Sequence, residues 1–338
     1  MRRVFFVAAV FAGSAVRAFA QADDAVFRGT EEELRGLYRE VAIFGRDDRV
    51  ESLDAVEPWR TRARSVALMV DSWRVSVVGG VATLSATAYG SSQGLVPRTR
   101  FYGQPALPGC SAALIAPDLM LTAGHCVPAG GCWSKMFVFD FFYAGTDLRP
   151  TVPAASVVRC AGLVAGGPES VDAAGVRTDW AVVRIERALT DRAPLTVSAD
   201  LPRRGDRLVM IGHPAGLPSK TATGRARGAR EDGLLWADLD GLAGNSGSPV
   251  FDAAGDVIGV LARLPPDTTT RTVPARRRRP ERTETVLNSY WDGFGAGAGI
   301  MPASRFHAEL APLGTATGLA GPVAPPPLPD PGPAEVGP

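Results

Sequence analysis

The chain has 338 residues, of which 36 are Lys or Arg and 35 are Asp or Glu, so its formal net charge at pH 7 is +1. This balance produces no overall field that would attract a nucleic acid or a membrane surface, and we expect neither as a stable partner. The length suits a single globular unit made of two subdomains.

The amino terminus has the pattern of an export signal. Arg2 and Arg3 precede an apolar run over residues 4–16, and Ala18-Phe-Ala20 offers a cleavage site, so residues 1–20 are predicted to be a cleaved signal peptide. The protein is then expected to be secreted or periplasmic. The apolar run is shorter than the ~20 residues that a membrane-spanning helix needs, so no stable membrane insertion is expected.

Residues 21–40 form an acidic segment with helical periodicity over residues 30–41. We interpret this segment as a short propeptide or amino-terminal extension, with an ordinary packed helix as the alternative.

The rest of the chain is predicted to be all-β, because short apolar or alternating runs are separated by turn residues. The clearest predicted strands lie at residues 65–70, 81–86, 112–115, 136–142, 181–185, 207–211 and 257–261. A second helical pattern is confined to residues 304–310.

Two segments near the carboxyl-terminal end of the sequence lack the apolar pattern of a packed strand or helix. Residues 264–285 contain PPDTTT and four consecutive arginines at 276–279, which predict an exposed insertion. Such an insertion could bind an anionic partner or be cut by proteases, and the sequence favours neither. Residues 314–338 are rich in Pro, Gly and Ala and are predicted to be a disordered tail.

Three short segments carry the residue types of nucleophilic catalysis. LTAGHC contains His125, TDWAVV contains Asp179, and GNSGSP contains Ser246. A serine hydroxyl is a weak nucleophile unless an imidazole takes its proton, and a buried carboxylate must orient that imidazole. We therefore predict Ser246 as the nucleophile, His125 as the base and Asp179 as the orienting acid.

The turn around Ser246 also predicts an oxyanion hole. Gly244 and Gly247 allow a tight turn, and the backbone amides of Gly244 and Ser246 are the expected donors to a developing negative charge.

Each of these residues has a structural alternative when taken alone. His125 could be a core histidine, Asp179 could cap a strand, and Ser246 could be an ordinary turn serine; their occurrence together favours catalysis. His213 and His307 are interpreted as structural residues. The sequence contains no HExxH motif, paired CxxC or histidine cluster, so we expect no metal and no cofactor.

These segments resemble the chymotrypsin-fold, or trypsin-like, serine peptidases, and GNSGSPVF resembles the bacterial glutamyl-endopeptidase, or V8-like, branch. The resemblance extends over residues 41–313 through further stretches in the same order, including RFYGQPALPGCSAALIAPDLMLTAGHC, GHPAGLP and VIGVLAR. It implies two packed six-stranded antiparallel barrels, at about 41–192 and 193–313. It also implies an active site in the crevice between them, a short closing helix and a mature chain beginning near Val41.

Four cysteines in an exported chain predict two disulfides, and their spacing alone leaves three connectivities open. The resemblance implies that Cys110 pairs with Cys126 and that Cys132 pairs with Cys160.

Substrate preference is less defined by the sequence. V8-like glutamyl enzymes carry a histidine where this chain has Leu261, so strict cleavage after Glu is not expected. Asp240 stands six residues before Ser246, the offset of the basic-residue selector in trypsin-like enzymes; it is either such a selector or a structural loop residue. Arg263 is expected near the pocket rim, where it could pair with Asp240. Asn245 cannot receive a buried ammonium, so activity is not expected to depend on an ion pair there.

The sequence therefore predicts a secreted serine endopeptidase that acts through an acyl-enzyme on protein or peptide substrates, as a monomer. Two alternatives remain: a catalytically silent relative that binds peptides, and a regulatory or chaperone-like protease that works within an oligomer.

Overall fold

The computed structural model describes residues 42–274, 280–290 and 297–315. The predicted signal peptide, the amino-terminal extension, the arginine run at 276–279 and nearly all of the predicted tail lie outside these residues. No helix among the described residues has the length and apolar character needed to cross a membrane.

Six strands close into a first antiparallel barrel. In spatial order they are Lys135–Val138, Val157–Gly166, Ala181–Ile185, Leu119–Thr122, Cys110–Ala116 and Val66–Asp71. The last of these strands pairs with the first and closes the barrel. Successive side chains of a strand point to opposite faces. In this barrel Leu114 and Met120 lie in the interior cluster, while Ala113 and Leu121 belong to a second cluster shared with the other barrel. Both faces are buried, which explains the unbroken apolar runs.

Six further strands close into a second antiparallel barrel. In the same kind of order they are Arg207–Gly212, Pro249–Phe251, Val257–Arg263, Ala298–Pro302, Leu235–Ala237 and Lys220–Ala229. Its interior is filled by Leu208, Met210, Val250, Ile258 and Ile300. The predicted all-β class with two six-stranded barrels is confirmed.

Smaller elements surround the barrels. The remaining strands are Ile43–Phe44, Val50–Glu51, Val75–Val78, Val81–Leu84, Thr87–Ala88, Pro105–Ala106, Thr151–Pro153, Ser170–Val171, Arg177–Thr178, Thr268–Val273, Arg282–Leu287 and Ser289–Tyr290. The α-helices are Trp59–Ala63, Tyr89–Ser92 and His307–Leu310. The 3₁₀-helices are Ser72–Arg74, Gly124–Cys126, Ala154–Ser156, Pro214–Gly216, Ala303–Arg305 and Ala311–Leu313.

Two parts of the predicted layout differ from the structure. The segment that begins at residue 42 is not part of the first barrel, because Val50–Glu51 pairs with Lys220–Ala229 of the second. The predicted insertion contains a regular hairpin, formed by Thr268–Val273 and Arg282–Leu287 and called the insertion hairpin below. Thr269 to Thr272 are exposed on it, so an apolar pattern could not reveal the strand.

The expected closing helix is present as one α-helical turn, His307–Leu310, flanked by the 3₁₀ turns Ala303–Arg305 and Ala311–Leu313. Phe306 stacks on Trp180 with 4.7 Å between ring centroids, which packs the carboxyl-terminal helix against the segment that carries Asp179.

Candidate active site

His125 lies in the 3₁₀ turn Gly124–Cys126, directly after the first-barrel strand Leu119–Thr122. Gly124 is required here, since a Cβ atom would lie 2.1 Å from the carbonyl oxygen of Gly167. The imidazole keeps 34% of its surface exposed. His125 is therefore held by a tight backbone turn while its ring faces solvent on one side.

The carboxylate of Asp179 contacts His125 twice. Its Oδ2 lies 2.8 Å from Nδ1 of the ring, and its Oδ1 accepts a hydrogen bond of 2.8 Å from the backbone N–H. The Asp179 side chain is 1% exposed. Because a carboxylate accepts and does not donate, this geometry favours the tautomer of the neutral ring in which Nδ1 carries the proton and Nε2 has the lone pair. Asp179 thus fixes both the tautomer and the orientation of the imidazole.

Ser246 lies in the turn that precedes the second-barrel strand Pro249–Phe251. Its carbonyl oxygen accepts a 2.7 Å hydrogen bond from the N–H of Ser111 and lies 3.7 Å from Sγ of Cys126. Gly247 has φ +81°, and a Cβ atom there would lie 2.2 Å from the carbonyl oxygen of Ser111. The turn therefore rests directly on the first barrel, against the residue that follows His125.

No hydrogen bond joins Oγ of Ser246 to the His125 ring among the described residues. The turn that carries Ser246 contacts the segment that carries His125, but the two side chains share no hydrogen bond.

Two backbone amides of the turn have no acceptor in the part of the chain that the structure describes: those of Gly244 and Ser246. The other three amides of residues 244–248 donate to carbonyl groups, from Asn245 to Leu242, from Gly247 to Leu261 and from Ser248 to Asn245. The two amides predicted from the sequence as oxyanion donors are therefore the two that remain available.

Both disulfides lie in the first barrel. Cys110 is bonded to Cys126, and Cys132 is bonded to Cys160. The first bond ties the residue after His125 to the strand Cys110–Ala116, and the second ties the Val157–Gly166 strand to the loop before Lys135–Val138.

Asp240 does not have the environment of a selector for basic side chains. It is 2% exposed, and its two carboxylate oxygens accept the backbone N–H groups of Phe44, at 2.6 Å, and Asp48, at 3.0 Å. Burial is the main cause that raises the pKa of Asp240 to about 7, and the neighbouring carboxylates of Asp48 and Asp47 act in the same direction. The structural alternative fits: Asp240 anchors the amino-terminal segment.

The other two predicted specificity residues lie on one strand, Val257–Arg263. Leu261 is fully buried in the second-barrel core, so its side chain lines no open pocket. Its backbone instead holds the catalytic turn, because its carbonyl oxygen accepts the N–H of Gly247 at 2.7 Å. Arg263 is exposed at the end of the strand.

His213 and His307 are outside the His125–Asp179 pair, as expected for structural residues. Nδ1 of His213 lies 2.9 Å from the carbonyl oxygen of Leu217, and its ring stacks on Phe141. Burial lowers the pKa of His213 to about 4. Nε2 of His307 lies 3.2 Å from the carbonyl oxygen of Val197.

Two residues at the site were missed by sequence reasoning. Ser111 donates its hydroxyl hydrogen to the carbonyl oxygen of Gly244 at 2.9 Å and accepts the N–H of His213 at 2.9 Å. Glu169 forms an ion pair with Arg177 and has a carboxylate oxygen within 4.8 Å of a ring nitrogen of His125. Neither belongs to one of the catalytic sequence segments, so no local signal marked them.

The clusters that could offer three metal ligands within the described residues overlap this site. One combines His125 with Cys110 and Cys126, whose sulfurs are bonded to each other, and the other combines it with Glu169 and Asp179. In the second cluster the Asp179 carboxylate already binds the imidazole.

Residues 110–260 match the trypsin-like peptidase domain family. The matched region contains all three predicted triad residues and covers less than half of the chain. Many solved structures resemble the fold, including the following two. A Glu endopeptidase in complex with MPD is 14% identical, with 73% of this chain and 94% of that chain covered and a TM-score of 0.41. The active form of the Rv3671c protease from M. tuberculosis is 19% identical, with 78% and 86% covered and a TM-score of 0.38.

No curated protein matches the chain.

Proposed function

We propose that this protein is a serine endopeptidase that hydrolyses peptide bonds through Ser246, His125 and Asp179. The observation that carries the proposal is the Asp179–His125 pair, joined by two hydrogen bonds, beside a turn in which two amides of the described residues 244–248 are unengaged: that of Gly244 and that of the predicted nucleophile, Ser246. The trypsin-like peptidase domain match over residues 110–260 supports the same conclusion.

In the proposed reaction, Oγ of Ser246 attacks the carbonyl carbon of the substrate while Nε2 of His125 takes the hydroxyl proton. The carbonyl oxygen becomes negative and accepts hydrogen bonds from the amides of Gly244 and Ser246. The imidazolium then gives its proton to the departing amine, which leaves an acyl-enzyme on Ser246. Water then attacks that ester while His125 again takes the proton. The imidazolium returns the proton to Oγ of Ser246, and the product acid leaves.

Asp179 contributes by stabilising the imidazolium that forms in each half of the reaction. Its two hydrogen bonds hold the ring so that Nε2, and not Nδ1, faces the substrate side. The contact between Ser246 and His125 is expected to form when substrate binds, because catalytic hydrogen bonds are often open in a free enzyme.

We further propose that the enzyme is exported and monomeric, that it acts on protein or peptide substrates, and that it needs no cofactor. Two disulfides and the export pattern at residues 1–20 support a secreted or periplasmic location. The GNSGSPVF segment supports a place in the V8-like branch. Strict glutamyl specificity is not part of the proposal, because buried Leu261 stands where that branch carries its histidine.

The proposal is tested by treating the protein without residues 1–20 with a fluorophosphonate probe. We expect labelling of wild type, none in Ser246→Ala, and unchanged labelling in the matched variant Ser248→Ala, whose buried hydroxyl has no hydrogen-bond partner among the described residues. Labelled protein should also cleave a mixed peptide library. A correctly folded wild type that neither reacts nor cleaves would instead support the silent peptide-binding relative.

A further inference from the structure

Asp267 lies immediately before the insertion hairpin, and its carboxylate reaches the catalytic turn. Both carboxylate oxygens accept the backbone N–H of Ala243, at 2.9 Å and 3.0 Å. Ala243 directly precedes Gly244, one of the two proposed oxyanion donors. Nothing in the triad itself requires this carboxylate.

The other polar group of Ala243 is also fixed. Its carbonyl oxygen accepts the N–H of Ala215 at 2.5 Å. Ala215 has φ +54°, a left-handed conformation that is unusual for a residue other than glycine and that is found where surrounding contacts enforce it. Asp267 and Ala215 thus hold Ala243 from its N–H and from its C=O.

The bond to Ala215 sets where the Gly244 amide points, and Asp267 holds the preceding peptide plane, that of Leu242 and Ala243, so that the Ala243 carbonyl stays within reach of Ala215. The Ala243 carbonyl and the Gly244 N–H belong to one peptide plane, and in a trans peptide they point in opposite directions. With the carbonyl bonded to Ala215, the Gly244 N–H is directed away from the 214–216 turn. Gly244 has φ +102° and, lacking a Cβ atom, it could otherwise let this plane rotate at little cost.

The insertion hairpin carries Asp267 into this position. The carbonyl oxygen of Asp267 accepts the N–H of Asn288 at 2.9 Å, which closes the hairpin at its base. Further along, the carbonyl oxygen of Thr285 accepts the N–H of Val96 at 3.2 Å. The hairpin is therefore closed at Asp267 and attached to the body of the protein through its second strand.

We propose that Asp267 is a positioning residue for oxyanion binding: it keeps the Ala243–Gly244 peptide plane in the orientation that presents the Gly244 N–H to the substrate, and so links the insertion hairpin to catalysis. This inference rests on the proposed peptidase function. Asp267 acts through Ala243 and touches no reacting atom.

The test compares Asp267→Ala with Asp267→Asn. Removing one oxyanion donor outright lowers kcat about 10²- to 10³-fold in enzymes of this mechanism, and loss of positioning is expected to cost about 10- to 100-fold. Asp267→Ala should lower kcat by that factor with KM within about threefold. Asp267→Asn keeps an acceptor for the Ala243 N–H and should retain kcat within about threefold of wild type.

Asp206→Ala and Asp206→Asn are the matched controls, because the Asp206 carboxylate also accepts a backbone N–H, that of Arg203 at 2.7 Å, in an exposed turn. Rates are expressed per site titrated with the fluorophosphonate probe. Affinity for a peptide aldehyde, which forms a tetrahedral adduct, should fall in parallel with kcat in Asp267→Ala, while affinity for a product peptide should not. If Asp267 only supported folding, Asp267→Ala would change the affinities for the aldehyde and for the product peptide to the same extent.

The ¹H–¹⁵N resonance of the Gly244 amide gives a readout that does not need activity. We expect Asp267→Ala to shift it and the Asp206 variants to leave it unchanged. If wild type is inactive but Asp267→Ala moves the Gly244 resonance, the proposed function fails and the positioning role stands. If Asp267→Ala changes neither the resonance nor kcat, or if Asp267→Asn is as impaired as Asp267→Ala, the positioning role is overturned.

Discussion

Ser111 of the first barrel and Gly244 of the second are joined by a hydrogen bond of 2.9 Å between the serine hydroxyl and the glycine carbonyl oxygen. The same hydroxyl accepts the N–H of His213, and the N–H of Ser111 donates to the carbonyl oxygen of Ser246. One serine therefore holds the turn of residues 244–248 against the barrel that carries His125.

We expect Ser111→Ala to destabilise the protein by about 1–3 kcal/mol, because the buried N–H of His213 and the carbonyl of Gly244 lose their partner. The Gly244 amide is on the same residue as that carbonyl, so kcat should fall by about tenfold. Urea unfolding and steady-state kinetics measure the two effects. Ser91→Ala, at an exposed position of the helix Tyr89–Ser92, is the control, and a Ser111→Ala variant with wild-type stability would contradict the assignment.

Asp179→Asn should lower kcat by about 10³- to 10⁴-fold, because an amide that donates to Nδ1 of His125 would stabilise the wrong tautomer. The substitution is nearly isosteric and the side chain is 1% exposed, so the fold should be kept. The measurement is kcat per titrated active site, and circular dichroism checks that the variant is folded. Asp172→Asn, in an exposed turn, should stay within about twofold of wild type.

The pKa of Asp240, raised to about 7 by burial, predicts how stability changes with pH. Between pH 4 and pH 7 the folded chain keeps a proton on Asp240 that the unfolded chain has released. The contribution of this group to the free energy of unfolding therefore falls as pH rises across that window and is constant above it. The free energy of unfolding of wild type minus that of Asp240→Asn should show this decline in denaturant titrations.

A difference that is flat or rises between pH 4 and pH 7 would contradict a raised pKa for Asp240. Because its carboxylate binds the N–H groups of Phe44 and Asp48, the cleavage preference of Asp240→Asn should also equal that of wild type. A loss of cleavage after Arg or Lys in this variant would restore the selector interpretation.

The two disulfides should differ in their effect on catalysis. They close segments with sequence separations of 16 and 28, so each is expected to stabilise the fold by about 3 kcal/mol. Replacing Cys132 and Cys160 by Ala should lower the unfolding free energy but keep kcat. Replacing Cys110 and Cys126 should lower both, since Cys126 follows His125 and touches Ser246. Equal kcat in the two double variants would contradict this distinction.

The strands that could be predicted have apolar side chains on both faces or alternating along one face, as in Val81–Leu84. Ala181–Ile185 lies where its run of apolar residues predicts it. Lys220–Ala229 is equally regular, but most of it is Gly, Ala and Lys, which are depleted in strands, and its pairing with two neighbours in the second barrel stabilises it as one.

The sequence by itself predicted the chemistry of the site, because catalysis needs particular residue types and tight turns need glycine. His125, Asp179 and the Ser246 turn were visible in short segments, and Gly124 and Gly247 are positions where any side chain would collide with backbone. These requirements concern residues that are adjacent in the chain, so a short sequence motif is enough to predict them.

Only the tertiary structure decided how the site is held. Phe44 reaches Asp240 across 196 residues of sequence, and Ser111 reaches Gly244 across 133. In the sequence, Asp240 has the offset of a selector and Ser111 is one residue of an apolar strand. Their roles depend on which backbone groups lie opposite them, and that is determined by the packing of two barrels and an insertion hairpin rather than by neighbouring residues.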